Sequence, residues 1–461
     1  MKQMPNIILI NCDDLGYGDL GCYGSKMNQT PNIDFIAENG LKLTDFYMAS
    51  PVCSPSRGGM LTGCYPPRIG FGDFEGETVL FPGQGVGLSG KEETIAEMLR
   101  QSGYITKIIG KWHCGDQPEF LPTRHGFDSY FGLPYSNDMG IQEGNAGSEF
   151  SRRETFPPLP LVDNEQIIEE QPDMAALTER YTEHAVRFIR ENREKPFFLY
   201  LAHMYVHLPI YAQDRFMKQS QNGRYGAAVE CVDWSLQVLL HELKELSIQE
   251  NTLVIFTSDN GSRGIDEEGC SNAPLRGGKQ TTWEGGQRVP CIFYWPGHIK
   301  AGRISSEIAA SIDFLPSFAS LTGKKLRGNK IDGKDISQFL LGNEEKSPRD
   351  TFVYFRMNEL QAIRYGRYKL HFYRENTGVK ELYNLHTDVS EENNIYEQHP
   401  DIVQKINEIA DRYRSEIGDS SRNIKGSENR PAGVVSSPQM LTRYDPDHPY
   451  LIAMYDSEDC G

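Results

Sequence analysis

Several signals that define a function class are missing from this sequence. The nine cysteines form no C-x-x-C pair and their number is odd, which speaks against a disulfide framework and a structural zinc. No apolar run reaches the roughly 18 residues of a membrane span. There is no basic arm or Lys/Arg stripe. Lys and Arg total 47 against 64 Asp and Glu, a net charge of −17, so nucleic acid is not expected as a partner. An anionic substrate would need a local basic cluster to hold it against the overall field. Met1-Lys2-Gln3-Met4-Pro5 runs into an apolar strand without a cleavage site. The cytoplasm is therefore the default expectation, and a trimmed secreted or periplasmic form would read the same. No repeat or low-complexity tract occurs, and nothing in the sequence speaks to oligomeric state.

What remains is an ordinary globular composition over 461 residues, long enough for two or three domains. Short apolar runs alternate with helical stretches, the pattern of an α/β layered domain. The runs are 6–11, 104–109, 197–201, 252–257 and 289–294. Near-continuous apolar strands of this kind suit a sheet buried on both faces. Helices are expected over 93–102, 174–192, 225–246 and 311–321. The character changes at Ser347-Pro348. Short strands and turns follow over 351–385, then a helix over 400–416 and a polar tail from Gly418 that should wrap the surface. The expected division is 1–346 for a first domain and 347–461 for a smaller antiparallel sheet with one helix.

Ligands of an open parallel sheet bind beyond the carboxyl ends of its strands. The first run ends in Asp13-Asp14, the second in Gly110-Lys111-Trp112-His113. The third reaches His203 and His207, and the fourth ends in Asp259-Asn260-Gly261. Three carboxylates and an amide at one edge suit a hard divalent ion such as Ca²⁺ or Mg²⁺. Asp and Asn also favour turns, so a turn and a metal site both stay open here. Cys53-Ser54-Pro55-Ser56-Arg57 reads as the start of a helix ending near Gly63. A cysteine just before it, with Arg57 one turn on, is placed for a depressed pKa and a nucleophilic role. The alternative is a small buried residue.

Cys53-Ser54-Pro55-Ser56-Arg57 matches the C-x-P-x-R motif of the type I sulfatases. In order with it come Asn11-Cys12-Asp13-Asp14, Gly110-Lys111-Trp112-His113, Ser258-Asp259-Asn260-Gly261, and Leu275-Arg276-Gly277-Gly278-Lys279 through Glu284-Gly285-Gly286. Glu381-Leu382-Tyr383-Asn384-Leu385 is also similar, so the resemblance spans about residues 5–395. Phe131 to Asp138 resembles a segment of the arylsulfatase A branch. Cys114, Gly58-Gly59 and Gln280 depart from common family usage, and Gly58-Gly59 should weaken the helix after Cys53.

The resemblance implies an alkaline-phosphatase-like, mostly parallel sheet sandwiched by helices, with a small C-terminal domain. It implies oxidation of Cys53 to Cα-formylglycine by a maturation enzyme. It also implies one metal ion, usually Ca²⁺, held by Asp13, Asp14, Asp259, Asn260 and the modified Cys53. By the same resemblance Lys111 and Lys279 clamp sulfate, with Ser136 as a further contact. Arg57 orients the hydrated aldehyde and His113 takes the proton of its second hydroxyl. His207, or Lys279, protonates the leaving oxygen. His207 precedes Leu208-Pro209 as the family's histidine does, so His203 is left to line the wall.

The expected substrate is a small sulfated carbohydrate cleaved at an accessible end, because no long basic groove is available for a polyanion. Tyr17, Trp112 and Trp283 either flank a sugar ring or belong to the core. A phosphonate or phosphate-ester hydrolase of the same superfamily is the nearest alternative. A non-catalytic sulfated-glycan-binding protein is the second.

Overall fold

The computed structural model describes residues 4–143, 156–264, 269–450 and 453–454. Cys460 and the tail beyond residue 454 lie outside them. The main sheet contains β1 (Asn6–Cys12), β2 (Leu41–Tyr47), β3 (Ile105–Gly110), β4 (Ser129–Gly132) and β5 (Pro160–Asp163). It continues with β6 (Gln166–Glu170), β7 (Phe197–Ala202), β8 (Thr252–Ser258), β9 (Arg288–Tyr294) and β10 (Arg303–Ser305). The spatial order is β10-β2-β9-β8-β1-β7-β3-β4-β5-β6, and the two-residue segment Ala309–Ala310 also pairs with β2.

The centre of the sheet follows from its side chains. β1 is buried along its whole length. Its Ile8 and Ile10 enter one core and its Ile7 and Leu9 the other, as the two-residue strand period requires. The first core is covered by α1 (Pro31–Glu38), with α4 (Leu177–Asn192) and α5 (Gly223–Glu245) below. The second lies under α2 (Cys53–Thr62), α3 (Ile95–Gln101) and α6 (Phe314–Thr322). α3 is opened by Thr94, whose side chain accepts from the Glu97 N–H in a capping box. α6 closes on Gly323 at φ 69°, the left-handed cap glycine favours.

β1, β7, β8 and β3 run parallel, so their carboxyl ends share one edge. Asn6 to Cys12 stand opposite Thr252 to Ser258, which brings Asp13 level with Asp259. β9 is antiparallel to both β8 and β2. It therefore enters the sheet from that same edge, preceded by the Lys279 loop and a one-turn helix at Glu284–Gln287.

A second, four-stranded antiparallel sheet holds β11 (Thr351–Arg356), β12 (Glu359–Tyr365), β13 (Tyr368–Arg374) and β14 (Thr377–Asn384), in that order. α7 (Pro400–Glu416) packs against it around Ile406 and Ala410. Buried charges join this sheet to the larger one. Glu284 accepts from the Tyr47 and Tyr354 hydroxyls, 2.6 Å each, and from Lys369 at 2.9 Å. The tail after α7 lies across the segment from Val86 to Gln117. Arg430 clasps Glu92 at 2.6 and 2.8 Å, and Gly433–Val434 pair with Val86–Gly87. The Gln439 N–H reaches Gln117 at 2.8 Å.

Candidate active site

The strand ends bring the candidate residues together. Ligand atoms of Asp13, Asp14, Cys53 and His207 lie within 4.8 Å of one another, all buried. Cys53 Sγ is 3.5 Å from Asp13 Oδ1. Lys111 Nζ donates to Asp13 Oδ2 at 2.5 Å and to Ser136 Oγ at 3.2 Å. Lys279 Nζ donates to Asp14 Oδ2 and to His207 Nε2, 2.9 Å each. Ser136 Oγ is 3.5 Å from His207 Nε2. Seven residues from four strand ends, one loop and one helix thus converge.

Local backbone features make this convergence possible. A Cβ at Gly110 would lie 1.8 Å from the Ala202 carbonyl, so only glycine lets β3 leave the sheet where it does. Lys111 follows directly. Asp14 and His113 both take left-handed φ, 57° and 58°, a conformation uncommon for non-glycine residues.

Helix α2 begins at Cys53 itself, not after it. Each polar residue of its first turn holds a neighbour. Ser54 Oγ accepts from the Leu80 N–H at 3.1 Å, and Ser56 Oγ donates to the Asp259 carbonyl. Arg57 donates from Nε to Asp259 Oδ2 at 2.9 Å and from Nη1 to the Lys111 carbonyl at 2.9 Å. Gly58 and Gly59 serve close packing: a Cβ would meet the Phe71 ring at 2.6 Å and the Cys64 carbonyl at 2.8 Å. The helix does persist to Thr62.

Electrostatics correct one expectation. The Cys53 thiol is not depressed. Burial pushes it well above its usual value, and Lys111 offsets this only in part. The helix terminus and Arg57 are therefore outweighed by desolvation. Burial also raises Asp13, but Lys111, with His207, Arg57 and Lys279, more than reverses that and holds it below the carboxylate range. Burial and the neighbouring Asp13 charge push Asp259 up to about 7. Lys279 is raised despite burial, chiefly by Asp14. His207 is lowered by burial and by Lys279.

The histidines are sorted by their hydrogen bonds. His113 Nε2 donates to the Leu80 carbonyl at 2.9 Å, which leaves Nδ1 as the free base. That Nδ1 is buried with no partner among the described residues. His207 Nδ1 donates to the Leu208 carbonyl at 2.5 Å, so its Nε2 faces Lys279 as an acceptor. His203 is buried outside the cluster.

The donor set fits a hard divalent ion. The Asn260 Nδ2 donates to Asp14 Oδ1 at 2.7 Å, and its buried Oδ1 has no partner among the described residues. An orphaned amide oxygen beside crowded carboxylates is what an oxygen-coordinated cation satisfies. Asp259 would share its oxygens between an ion and the chain. Its Oδ2 pairs with Arg57 Nη2 at 2.7 Å and its Oδ1 accepts the Asp14 N–H, while His207 stands among the cluster atoms.

All three aromatic candidates are buried. Trp112 is fully buried, donates to the Phe120 carbonyl and stacks on His125. Tyr17 is buried and donates to the Thr44 carbonyl. Trp283 is covered by the Arg276 and Arg374 guanidiniums, 3.8 and 4.1 Å from its ring centre. Leu80, whose two backbone groups serve Ser54 and His113, carries no sequence signal at all.

A nucleophile position under two ammonium groups, beside crowded carboxylates at the carboxyl edge of a helix-covered sheet, defines a sulfuric ester hydrolase. The chain belongs to the type I, formylglycine-dependent sulfatase family: the family described as Sulfatase matches residues 5–324, and the C-terminal family of N-sulphoglucosamine sulphohydrolase matches 278–417. Human arylsulfatase A is 39% identical over 396 residues, 81% of this chain and 76% of that protein. The N-acetylgalactosamine-6-sulfatase of Canis lupus familiaris is 40% identical over 379 residues, 80% of this chain and 72% of that protein. The crystal structure of Ps i-CgsB in complex with k-i-k-neocarrahexaose superposes with a TM-score of 0.78 at 31% identity, covering 89% and 93% of the two chains. No helix among the described residues is long and apolar enough to cross a membrane.

Proposed function

We propose that this sulfatase removes a sulfate ester from the accessible end of a small sulfated carbohydrate, using a formylglycine made from Cys53 and one Ca²⁺ or Mg²⁺ ion. The observation that carries this reading is Cys53 Sγ at 3.5 Å from Asp13, within a cluster capped by the Lys111 and Lys279 ammonium groups. A buried thiol with a raised pKa is a poor nucleophile and would form a sulfated adduct with no release step. A hydrated aldehyde at that position would supply one hydroxyl for attack on sulfur and a second whose ionisation drives release. Conversion requires a maturation enzyme as partner.

Asp13, Asp14, Asp259 and Asn260 Oδ1 would hold the metal ion, together with the modified Cys53. The ion would supply charge neutralisation on the sulfate oxygens and acidify a neighbouring hydroxyl. The remaining roles belong to the chain. Lys111, Lys279 and Ser136 bind sulfate oxygens, which places fixed donors where negative charge grows. Arg57 holds Asp259 in place. His113 Nδ1 takes the proton that accompanies release. The Lys279–His207 pair holds the proton for the leaving alcohol.

The substrate class rests on depth and charge. The side chains of Asp13, Arg57 and Lys111 are wholly buried, and that of Lys279 is 7% exposed. Such a site admits a chain end and excludes the middle of a polymer. The names of the relatives favour a sulfated sugar or an aryl sulfate. Ser136 against Lys111 supports the arylsulfatase A-like branch, and we assign the catalytic unit to 1–346 and the smaller unit to 347–461. The test is a panel of nitrophenyl sulfate, nitrophenyl phosphate and sulfated mono- and disaccharides, run on protein whose Cys53 conversion is measured by peptide mass spectrometry. Turnover that tracks the converted fraction and prefers sulfate supports the reading. Full activity with an intact thiol refutes it.

A further inference from the structure

A cavity of about 470 Å³ opens between the Lys279 loop and the C-terminal sheet. One wall is Gln280 to Thr282, the residues directly after Lys279. The Gln280 N–H donates to the Pro51 carbonyl at 2.9 Å, two residues before Cys53. This wall therefore follows Lys279 directly in the chain and is bonded to the segment that leads into Cys53. The other wall comes from β11, β12 and β13, with Arg356, Glu359, Gln361 and Arg374. The walls are tied together. Arg356 Nε donates to the Gln280 carbonyl at 3.0 Å, and Thr282 Oγ1 donates to Gln361 Oε1 at 2.9 Å.

The charges select the occupant. Arg374 Nη2 is committed to both oxygens of Glu381, at 2.8 and 2.9 Å. Arg356 shares the lining with Glu359, its partner in the strand register, and with Glu375, so the lining carries no net positive charge for an anion. Glu359 Oε2 accepts from Gln361 Nε2 at 2.7 Å. Carboxylate, amide and guanidinium groups around this volume suit the hydroxyls of one neutral sugar ring.

We infer that this cavity is a subsite for the ring next to the sulfated one, and that this second ring is neutral and unsulfated. The inference rests on the sulfated-carbohydrate reading above and narrows it. Specificity then comes from the C-terminal sheet, while the sulfate itself is read by the strand ends of the larger sheet.

The experiment compares three substrates on fully converted enzyme: the fastest sulfated monosaccharide of the panel, its disaccharide with a neutral hexose, and its disaccharide with a uronic acid. The neutral disaccharide should exceed both others in kcat/KM by about tenfold. Glu359→Ala should remove that advantage through KM and leave nitrophenyl sulfate unaffected. Asn376→Gly, at a lining position with φ 60° that glycine tolerates, should reduce the advantage without a folding cost. An enzyme that turns over nitrophenyl sulfate but gains nothing from a neutral second ring overturns the subsite and leaves the sulfatase reading standing. Preference for the uronic acid, or equal losses on all substrates in both variants, overturns it as well.

Discussion

Arg57→Met tests how the site is held together when no metal is bound. Arg57 is wholly buried between Asp259 and the Lys111 carbonyl, with Asp13 3.8 Å away. Methionine keeps much of the volume and removes the charge and the fork. Asp259 would then be a buried carboxylate without its main partner, a change that costs about 3–5 kcal/mol. The Lys111 carbonyl would lose a donor, worth about 1–3 kcal/mol. The two terms share one guanidinium and do not add fully, so a loss of roughly 4–6 kcal/mol is expected in chelator, read by urea unfolding. Arg57→Lys should fall between, because an ammonium cannot span both partners. Adding Ca²⁺ should rescue the methionine variant more than the parent, since the ion would supply Asp259 with a second cation. A loss below about 1 kcal/mol in chelator, or equal Ca²⁺ stabilisation in both proteins, would refute this account.

Chelation of the converted enzyme should abolish turnover and Ca²⁺ or Mg²⁺ should restore it, with Asn260→Ala weakening metal affinity as measured by calorimetry; full activity after exhaustive chelation would remove the ion. His207→Ala should slow sugar sulfates about 10²-fold more than nitrophenyl sulfate, whose leaving group needs little protonation; equal losses would take His207 out of proton delivery. Burial lowers His125 to about 4 and His203 to about 3. An unfolded histidine titrates near 6.5, so the unfolded chain binds these protons first. Stability is full above pH of about 6.5 and is lost as pH falls towards 4 and 3. His125→Phe, which keeps the stack on Trp112, should move the acid-unfolding midpoint to lower pH by circular dichroism; an unmoved midpoint would refute the assignment.

The parts of the fold that could be read ahead were those where burial leaves one solution. β1, β7 and β8 are runs of Ile, Leu, Val, Phe and Tyr because both faces are covered, and their ends carry Asp13, Asp14, Asp259 and Asn260. β2 was not among the expected runs, since Lys42, Thr44 and Asp45 interrupt its apolar residues. Asp45 is buried because Arg288 and Arg364 reach it at 2.9 and 2.6 Å, partners some 240 and 320 positions away. The edge strand β14 falls inside the 351–385 stretch where short strands were expected. Cys53 shows a different limit. Its motif revealed the position, but the sign of its titration depends on how much water is excluded, which no local pattern carries. Leu80 marks the last limit, because backbone groups are the same in every residue.

The strap formed by Arg430 to Gln439 has a consequence for how the enzyme is made. Leu80 aligns Ser54 and His113, and the segment that follows it is pinned at Glu92, Gly85 and Gly87 by residues of the tail. On the ribosome those residues emerge some 350 positions after Leu80, which at 5–20 residues per second is a delay of roughly 20–70 s. Throughout that interval Cys53 belongs to a nascent chain whose cover has not been fastened. Fastening of the segment after Leu80 is thus set by the order of the chain to follow synthesis of every residue of the site.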